Sequence, residues 1–535
     1  MVEATEKKTQ NNKKWKVLIF FVLGISLVLL TGNIIVNRVI QNTVRERLAQ
    51  LAPLAIVSYS SISASLLASS LTIKDLSIQF RRDSTDTIHQ HRFNFRVADF
   101  SGVHFLKIFF NQNLSINALS LEEGEIKLDR FLLNKNDSLH VDFAKQMPFT
   151  SMNIGHLKIA ESKLWLHSDG EDKLLLKGEI DIGDLKQDSS MAKNDFHFES
   201  VKCMITDLNY SIPNTFHTVR VKSLLADSKK ELLEIDSLKI DTKYSKFELG
   251  KKLGRQADYI DATIPELKFE KLNVMQLLDK KLVADKISID NIRLYVFRDR
   301  RLPRESKEQP MPNGYLKEMP FEVRVNQLRL NNASVISEEF PKEGKETGTL
   351  KIENINISMS PVLSRPHKND PVYSDTRVEG SIMNAGTLKA TIRAPLKENI
   401  YEVKGTITNL DLPKLNPSSE NLGRFHIESG VLNSLVFQFT ATEEKATGTI
   451  VGEYHDLVID RLKFEKGEKT IAKVPSFFLK HFIIPKNKDK SMDVKKRTGK
   501  IDYKRDPTRI VTFYFLKALL DGIRSSFDLG FLLPQ

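Results

Sequence analysis

The sequence predicts an all-β protein built as a sheet with one apolar face, with a transmembrane helix before it and a short helix after it. Three observations point there. An eight-residue pattern, apolar at its first, third, sixth and eighth positions, returns seven times; a charge-free run of twenty residues lies near the N-terminus; and helical periodicity is scarce in between.

The seven copies are Leu71/Ile73/Leu76/Ile78, Leu114/Ile116/Leu119/Leu121, Met152/Ile154/Leu157/Ile159, Leu233/Ile235/Leu238/Ile240, Ile287/Ile289/Ile292/Leu294, Val323/Val325/Leu328/Leu330 and Leu350/Ile352/Ile355/Ile357. Looser versions surround Val219, Ile264 and Ile407. Alternation on each side of the central doublet is the two-residue period of a strand, and the extra residue needs a bulge or tight bend to keep later side chains on the same face. The copies are unevenly spaced, which disfavours a fixed-period solenoid. With 535 residues, 41% of them hydrophobic, the chain can bury a large core, and no long Pro/Gly/Ser-rich linker interrupts it between about residue 60 and residue 480.

Element by element, residues 1–16 form a basic tail with Lys7, Lys8, Lys13, Lys14 and Lys16. Residues 17–36 are long enough to cross a bilayer as a helix, with Val17, Leu18, Phe20, Phe21, Leu23, Leu29 and Leu30 as anchor residues. A cleavable signal peptide is the rival, but the run is long for one and no small-x-small site follows closely. Arg38, Arg45 and Arg47 follow the span, so the charge bias is modest and favours an N-terminus in the cytoplasm. Residues 37–53 read as an amphipathic stalk helix ended by Pro53, and residues 54–485 as the β-rich body. Within the body, Phe93/Phe95/Val97, Leu164/Leu166, Leu174/Leu176 and Leu435/Phe437/Phe439 alternate as strands do, while Lys271–Lys281 reads as a short helix. Residues 486–509 read as a basic linker that touches anionic lipid head groups or is simply solvated. Asp506-Pro507 is a helix start, and residues 510–535 form an apolar helix and tail expected to dock on the sheet end or a membrane.

Several function classes drop out. The single Cys203 rules out an internal disulfide framework and fits a periplasm or a cytosol. The net charge of +12 is concentrated in the N-terminal tail and the 486–509 segment without aromatic interleaving, which argues against nucleic acid as a partner. Phosphate-loop, dinucleotide, zincin, nucleophile-elbow and EF-hand signatures are missing, so neither an enzyme nor a cofactor is expected. Among the twelve histidines, His89/His91 and His197/His217 are the closest pairs; a metal site at His89/His91 is conceivable, but surface decoration is the commoner reading. Trp165 reads as a packing or groove residue. An apolar sheet face must be covered. The residues leave two solutions open: a closed sandwich, which is commoner among all-β chains, or a trough whose apolar side takes a greasy ligand.

Tyr401–Asp460 reads YEVKGTITNLDLPKLNP, then IESGVLNSLVFQF, then ATGTIVGEYHDL. Gly405 before Leu410 and Leu412, Ser429-Gly430 before Leu435/Phe437/Phe439, Gly448, and Tyr454–Leu457 resemble the C-terminal part of AsmA-like proteins, the bacterial envelope family related to AsmA, TamB and YhdP. Phe321–Pro361 is similar to the family's recurring module. The resemblance implies an elongated, one-faced, strongly curved antiparallel sheet forming a repeating β-groove, anchored by one helix in the bacterial inner membrane with its body in the periplasm. It further implies a non-enzymatic protein that carries phospholipid acyl chains toward the outer membrane or serves envelope homeostasis, with outer-membrane or envelope proteins as further partners. The groove candidates are Ile287, Ile289, Ile292, Leu294, Val323, Val325, Leu328, Leu330, Ile352, Ile355, Ile357, Leu435, Phe437 and Phe439. The chain is shorter than the longest members of that family, which puts a continuous bridge across the envelope in doubt. The alternative is an envelope scaffold or outer-membrane assembly factor with a closed β-sandwich body.

Overall fold

The computed structural model describes residues 34–46, 48–49, 55–81, 90–105, 107, 113–129, 151–168, 170–188, 197–212, 215–304, 307–465, 468–471 and 495–526. These residues are mostly β, with few helices. The chain divides into two compact units, Met1–Asp207 and Leu208–Gln535.

In the first unit a helix over 34–46 precedes β1 (Ala55–Ser58), β2 (Ser61–Ser65), β3 (Ser70–Arg81), β4 (Gln90–Ser101), β5 (Asn113–Glu122), β6 (Glu125–Asp129), β7 (Ser151–Ser168) and β8 (Glu171–Asp188), and β9 (Ser200–Ser211) carries the chain across the division. β1 and β2 both pair with β3, β3 with β4, and β4 with both β5 and β6, all antiparallel. β5 and β6 then pair with β7 in parallel, and β7 pairs with β8 antiparallel. Leu71, Ile73, Leu76, Ala98, Ile116 and Ile154 make the core, which Ile40, Val44 and Leu48 of the first helix join. Those three share one helix face at i, i+4 and i+8. The expected 37–53 stalk is therefore a helix that begins by residue 34 and packs on the sheet, because its apolar stripe finds a partner there.

The second unit holds β10 (His217–Asp227), β11 (Leu232–Thr242), β12 (Asp258–Glu270), β13 (Lys281–Asp290), β14 (Arg293–Asp299), β15 (Glu322–Phe340), β16 (Gly348–Ser360), β17 (Val362–Leu363), β18 (Tyr373–Ile382), β19 (Gly386–Pro395), β20 (Tyr401–Asp411), β21 (Phe425–Ala441), β22 (Lys445–Glu465), β23 (Glu468–Ile471) and β24 (Lys495–Lys504). The same motif recurs: β12 pairs antiparallel with both halves of a broken strand, β13 and β14, and both halves pair in parallel with β15. The sheet is thus mixed where an antiparallel one was expected. One-faced alternation reads alike in either direction, and only a long crossover, here the segment from β14 to β15, permits the parallel return.

The doublets explain the breaks. In four copies the second doublet residue is left-handed: Asp75 (φ 52°), Ser237 (54°), Asn291 (57°) and Asn354 (50°). Asp and Asn tolerate this region because their short side chains hydrogen-bond locally. Across the second unit the interruptions line up. Ser237 lies opposite Pro265, Asn291 stands beside Asn331, and the register of β16 against β18 slips by one between Glu353 and Asn356. A ladder of amides fills the row. Asn331 Nδ2 donates to Asp290 at 2.7 Å, Asn332 Nδ2 to Asn291 Oδ1 at 2.7 Å, and the Asn332 N–H to Asn356 Oδ1 at 3.0 Å.

The predicted short helix appears as Val274–Leu278. The basic linker does not hold over its whole length. Lys495–Lys504 is a strand paired with β22, with Ile501 fully buried, so the folded body extends past residue 485. Val17, Leu18, Phe20, Phe21, Leu23, Leu29 and Leu30 lie outside the described residues. Among the described residues no helix is long and apolar enough to cross a membrane.

Candidate functional site

Residues directly opposite each other on paired strands share a sheet face. The registers of the second unit therefore chain the predicted groove residues into rows. One runs Leu224, Ile235, Leu267, Ile289, Leu330, Ile357, Val378. A second runs Ala226, Leu233, Phe269, Ile287, Leu328, Met359, and a third Val219, Ile240, Ala262, Leu294, Val335, Ile352, Ile382. Every residue of the first row is half-buried. Among the described residues the strands belong to one hydrogen-bonded sheet, with no separate second sheet to lie over these rows. Leu224 to Val378 spans six inter-strand gaps, about 29 Å at roughly 4.8 Å each. One leaflet's share of a ~30 Å hydrocarbon core is about 15 Å.

The remaining candidates divide. Ile292 sits at the break between β13 and β14, its carbonyl accepting from the Ser334 N–H at 2.8 Å. Val323 and Val325 are buried, Val325 completely, beside Leu282, Ala284 and Val362; Ile355 is buried opposite Ala333, and Ile287 is buried between Phe269 and Leu328. These pack as core, whereas Ile289, Leu294, Leu328, Leu330, Ile352 and Ile357 stay half-exposed.

Leu435, Phe437 and Phe439 are not open groove. The first row continues through Val378, Ala390, Gly405, Phe437 and Ile450 to Gly499, and there the terminal helix Val511–Ser526 covers it. Tyr514, Ala518, Gly522 and Ser526 form its buried stripe, and Phe515 meets Phe439 edge-on at 5.6 Å. Burying Leu435, Phe437 and Phe439 is worth about 2 kcal/mol each, enough for the chain to cover this end itself. The helix also caps the sheet edge: Ser525 Oγ accepts from the Lys500 N–H at 3.0 Å and Asp521 Oδ2 from the Asp502 N–H at 2.9 Å.

A depression of about 610 Å³ opens over β18–β22, lined by Arg377, Glu379, Lys389, Lys404, Thr406 and Gln438 among others. Those residues alternate with the apolar rows, so it lies mainly on the opposite face, where Val436 and Val451 also line it. Two of the paired histidines, His91 and His217, are buried in the fold. His91 is buried, accepts at Nδ1 from the Asp129 N–H at 3.2 Å, and is held below the usual imidazole range by burial. His217 accepts at Nε2 from the Ile260 N–H at 3.2 Å and is likewise lowered by burial. His89 lies outside the described residues, and no group of three metal-ligating side chains occurs among those described. Trp165 is half-buried opposite Leu174, a packing position.

No family model and no curated protein matches this sequence. Function therefore rests on the geometry.

Proposed function

We propose that this chain is a membrane-anchored, non-enzymatic lipid-handling protein of the bacterial envelope, whose curved one-faced sheet holds phospholipid acyl chains. The observation that carries the reading is the apolar row from Leu224 to Val378, half-buried on seven strands and longer than a single acyl chain, with no separate second sheet among the described residues to cover it. Such a face left to water would aggregate; a hydrocarbon ligand lying across the strands satisfies it at no hydrogen-bonding cost. An open trough suits this better than the closed sandwich that a scaffold would have, and likeness to AsmA-like proteins adds an inner-membrane anchor and a periplasmic body.

Native mass spectrometry of the full-length chain, released from a non-phospholipid detergent, tests the reading. Stoichiometric phospholipid is expected, together with lipid adducts from a photocrosslinker placed at Ile357. A lipid-free chain whose crosslinks reach only protein would favour the scaffold instead.

A further inference from the structure

The apolar face of the second unit turns charged at one end. Along β14 one face carries Leu294, Val296 and Arg298 in alternation, and on β15 the residues opposite them are Val335, Ser337 and Glu339. Arg298 forks onto Asp258 at 2.7 and 2.8 Å, and just past the strand Arg300 Nη1 stands 3.5 Å from Glu339 Oε2.

The segment leading into the terminal helix brings more cations to this place. Arg304 Nη1 lies 3.3 Å from Asp506 Oδ2, and Arg509 Nε lies 3.9 Å from the same atom. The Arg509 guanidinium sits 4.7 Å and Lys517 Nζ 5.6 Å from the centre of the Phe513 ring. Lys517 makes no ion pair among the described residues. Burial, then the charges of Arg300, Arg509 and Arg524, hold its ammonium below the usual lysine range, while Glu339 opposes them. Arg509 is lowered in the same way by burial and by Arg304, Arg298 and Arg300. Arg298, Arg300, Arg304 and Arg509 thus stand with Lys517 around Asp258, Glu339 and Asp506.

Like charges at such range repel, and an anion accepting from a guanidinium and an ammonium together reverses that. Resting on the acyl-chain reading of the adjoining face, we propose that Lys517, Arg509, Arg300 and Arg298 bind the phosphate of a phospholipid headgroup whose chains lie along the apolar rows. A phosphate ester accepts through several oxygens, so it can engage an arginine fork and the lysine at once.

The test uses the full-length chain in a non-phospholipid detergent, titrated with dioleoylphosphatidylglycerol, with dioleoylglycerol, which has the same chains and no phosphate, and with inorganic phosphate. Phosphatidylglycerol is expected to bind about tenfold more tightly than dioleoylglycerol, the size of one or two charge-assisted hydrogen bonds. Lys517→Met, and separately Arg509→Gln, should bring that ratio toward one and leave dioleoylglycerol binding unchanged. Because Lys517 is repelled in the ligand-free protein, Lys517→Met should also raise the Tm of the lipid-free chain, whereas loss of a lysine that merely supports the fold would lower it. Equal affinities in the wild type, or a preference that both variants keep, would overturn the headgroup site and leave the acyl groove standing. Failure of both lipids to bind would defeat the two together. Inorganic phosphate binding at micromolar concentration, with no preference for phosphatidylglycerol, would assign the cluster to free phosphate and overturn the lipid source.

Discussion

Val325 and Leu330 stand on one strand and hold equivalent apolar positions in its sequence pattern, but their surroundings differ. Val325 is sealed beside Ala284 and Val362, while Leu330 lies half-exposed between Ile289 and Ile357. Val325→Asp would bury an unpaired carboxylate and is expected to cost about 3 kcal/mol or more, seen as a large fall in Tm. Leu330→Asp can reach water, so circular dichroism should stay native while bound phospholipid is lost; unfolding of this variant would mean the row is covered after all. Periodicity tells which face a residue is on, but depth of burial depends on partners distant in sequence, which is why the two looked alike. The histidines give a pH test. His91 and His217 are held neutral by burial, so the folded pKa of each lies below its unfolded value. Their contribution is present above about pH 6.5 and is lost as pH falls through the folded pKa. Melting between pH 7.5 and 5 should show a falling Tm, and a His91→Gln/His217→Gln double variant should flatten that slope; an unchanged slope would place the titration elsewhere.

The element that sequence reasoning missed is β24. Its residues KKRTGKIDYK look like a solvated linker because just Ile501 and Tyr503 alternate among charges, yet a lysine-rich strand with one apolar side is what a protected sheet edge requires. The helix after it was legible from its apolar run, but its apolar face alone left both the sheet end and a membrane open as its partner, and the close approach that docking needs could not be read at all. A Cβ on Gly499 would lie 2.0 Å from the Gly522 carbonyl oxygen, and one on Gly522 would lie 2.8 Å from Ile501. Gly499→Val should therefore push the helix off β24, lowering Tm and raising proteolysis within 511–526; a variant as stable as the wild type would show that helix and strand are not tightly seated. The doublets were readable as interruptions from their spacing alone. Which of them bend through a left-handed residue was not, since Asp75, Ser237, Asn291 and Asn354 do so while Ala118, His156 and Gln327 hold the same place in their copies.

Both units contain the same arrangement: an antiparallel strand, a broken partner, and a parallel return, β4–β5/β6–β7 in one and β12–β13/β14–β15 in the other. The parallel step could not be read in advance, because a one-faced strand carries no mark of its neighbour's direction. On the proposed reading the body is held at a bilayer by the charge-free segment from Val17 to Val36, which has about the length that crosses one. The full-length chain should accordingly stay with the membrane fraction after carbonate extraction, and removal of residues 1–36 should release a folded body into the soluble fraction. Protease added to spheroplasts should digest that body and spare the first residues and the span, since the lysines before the span favour a cytoplasmic N-terminus. A full-length chain extracted by carbonate, or a body that resists protease until the inner membrane is opened, would remove the anchor from the mechanism and with it the transfer of lipid from the inner membrane.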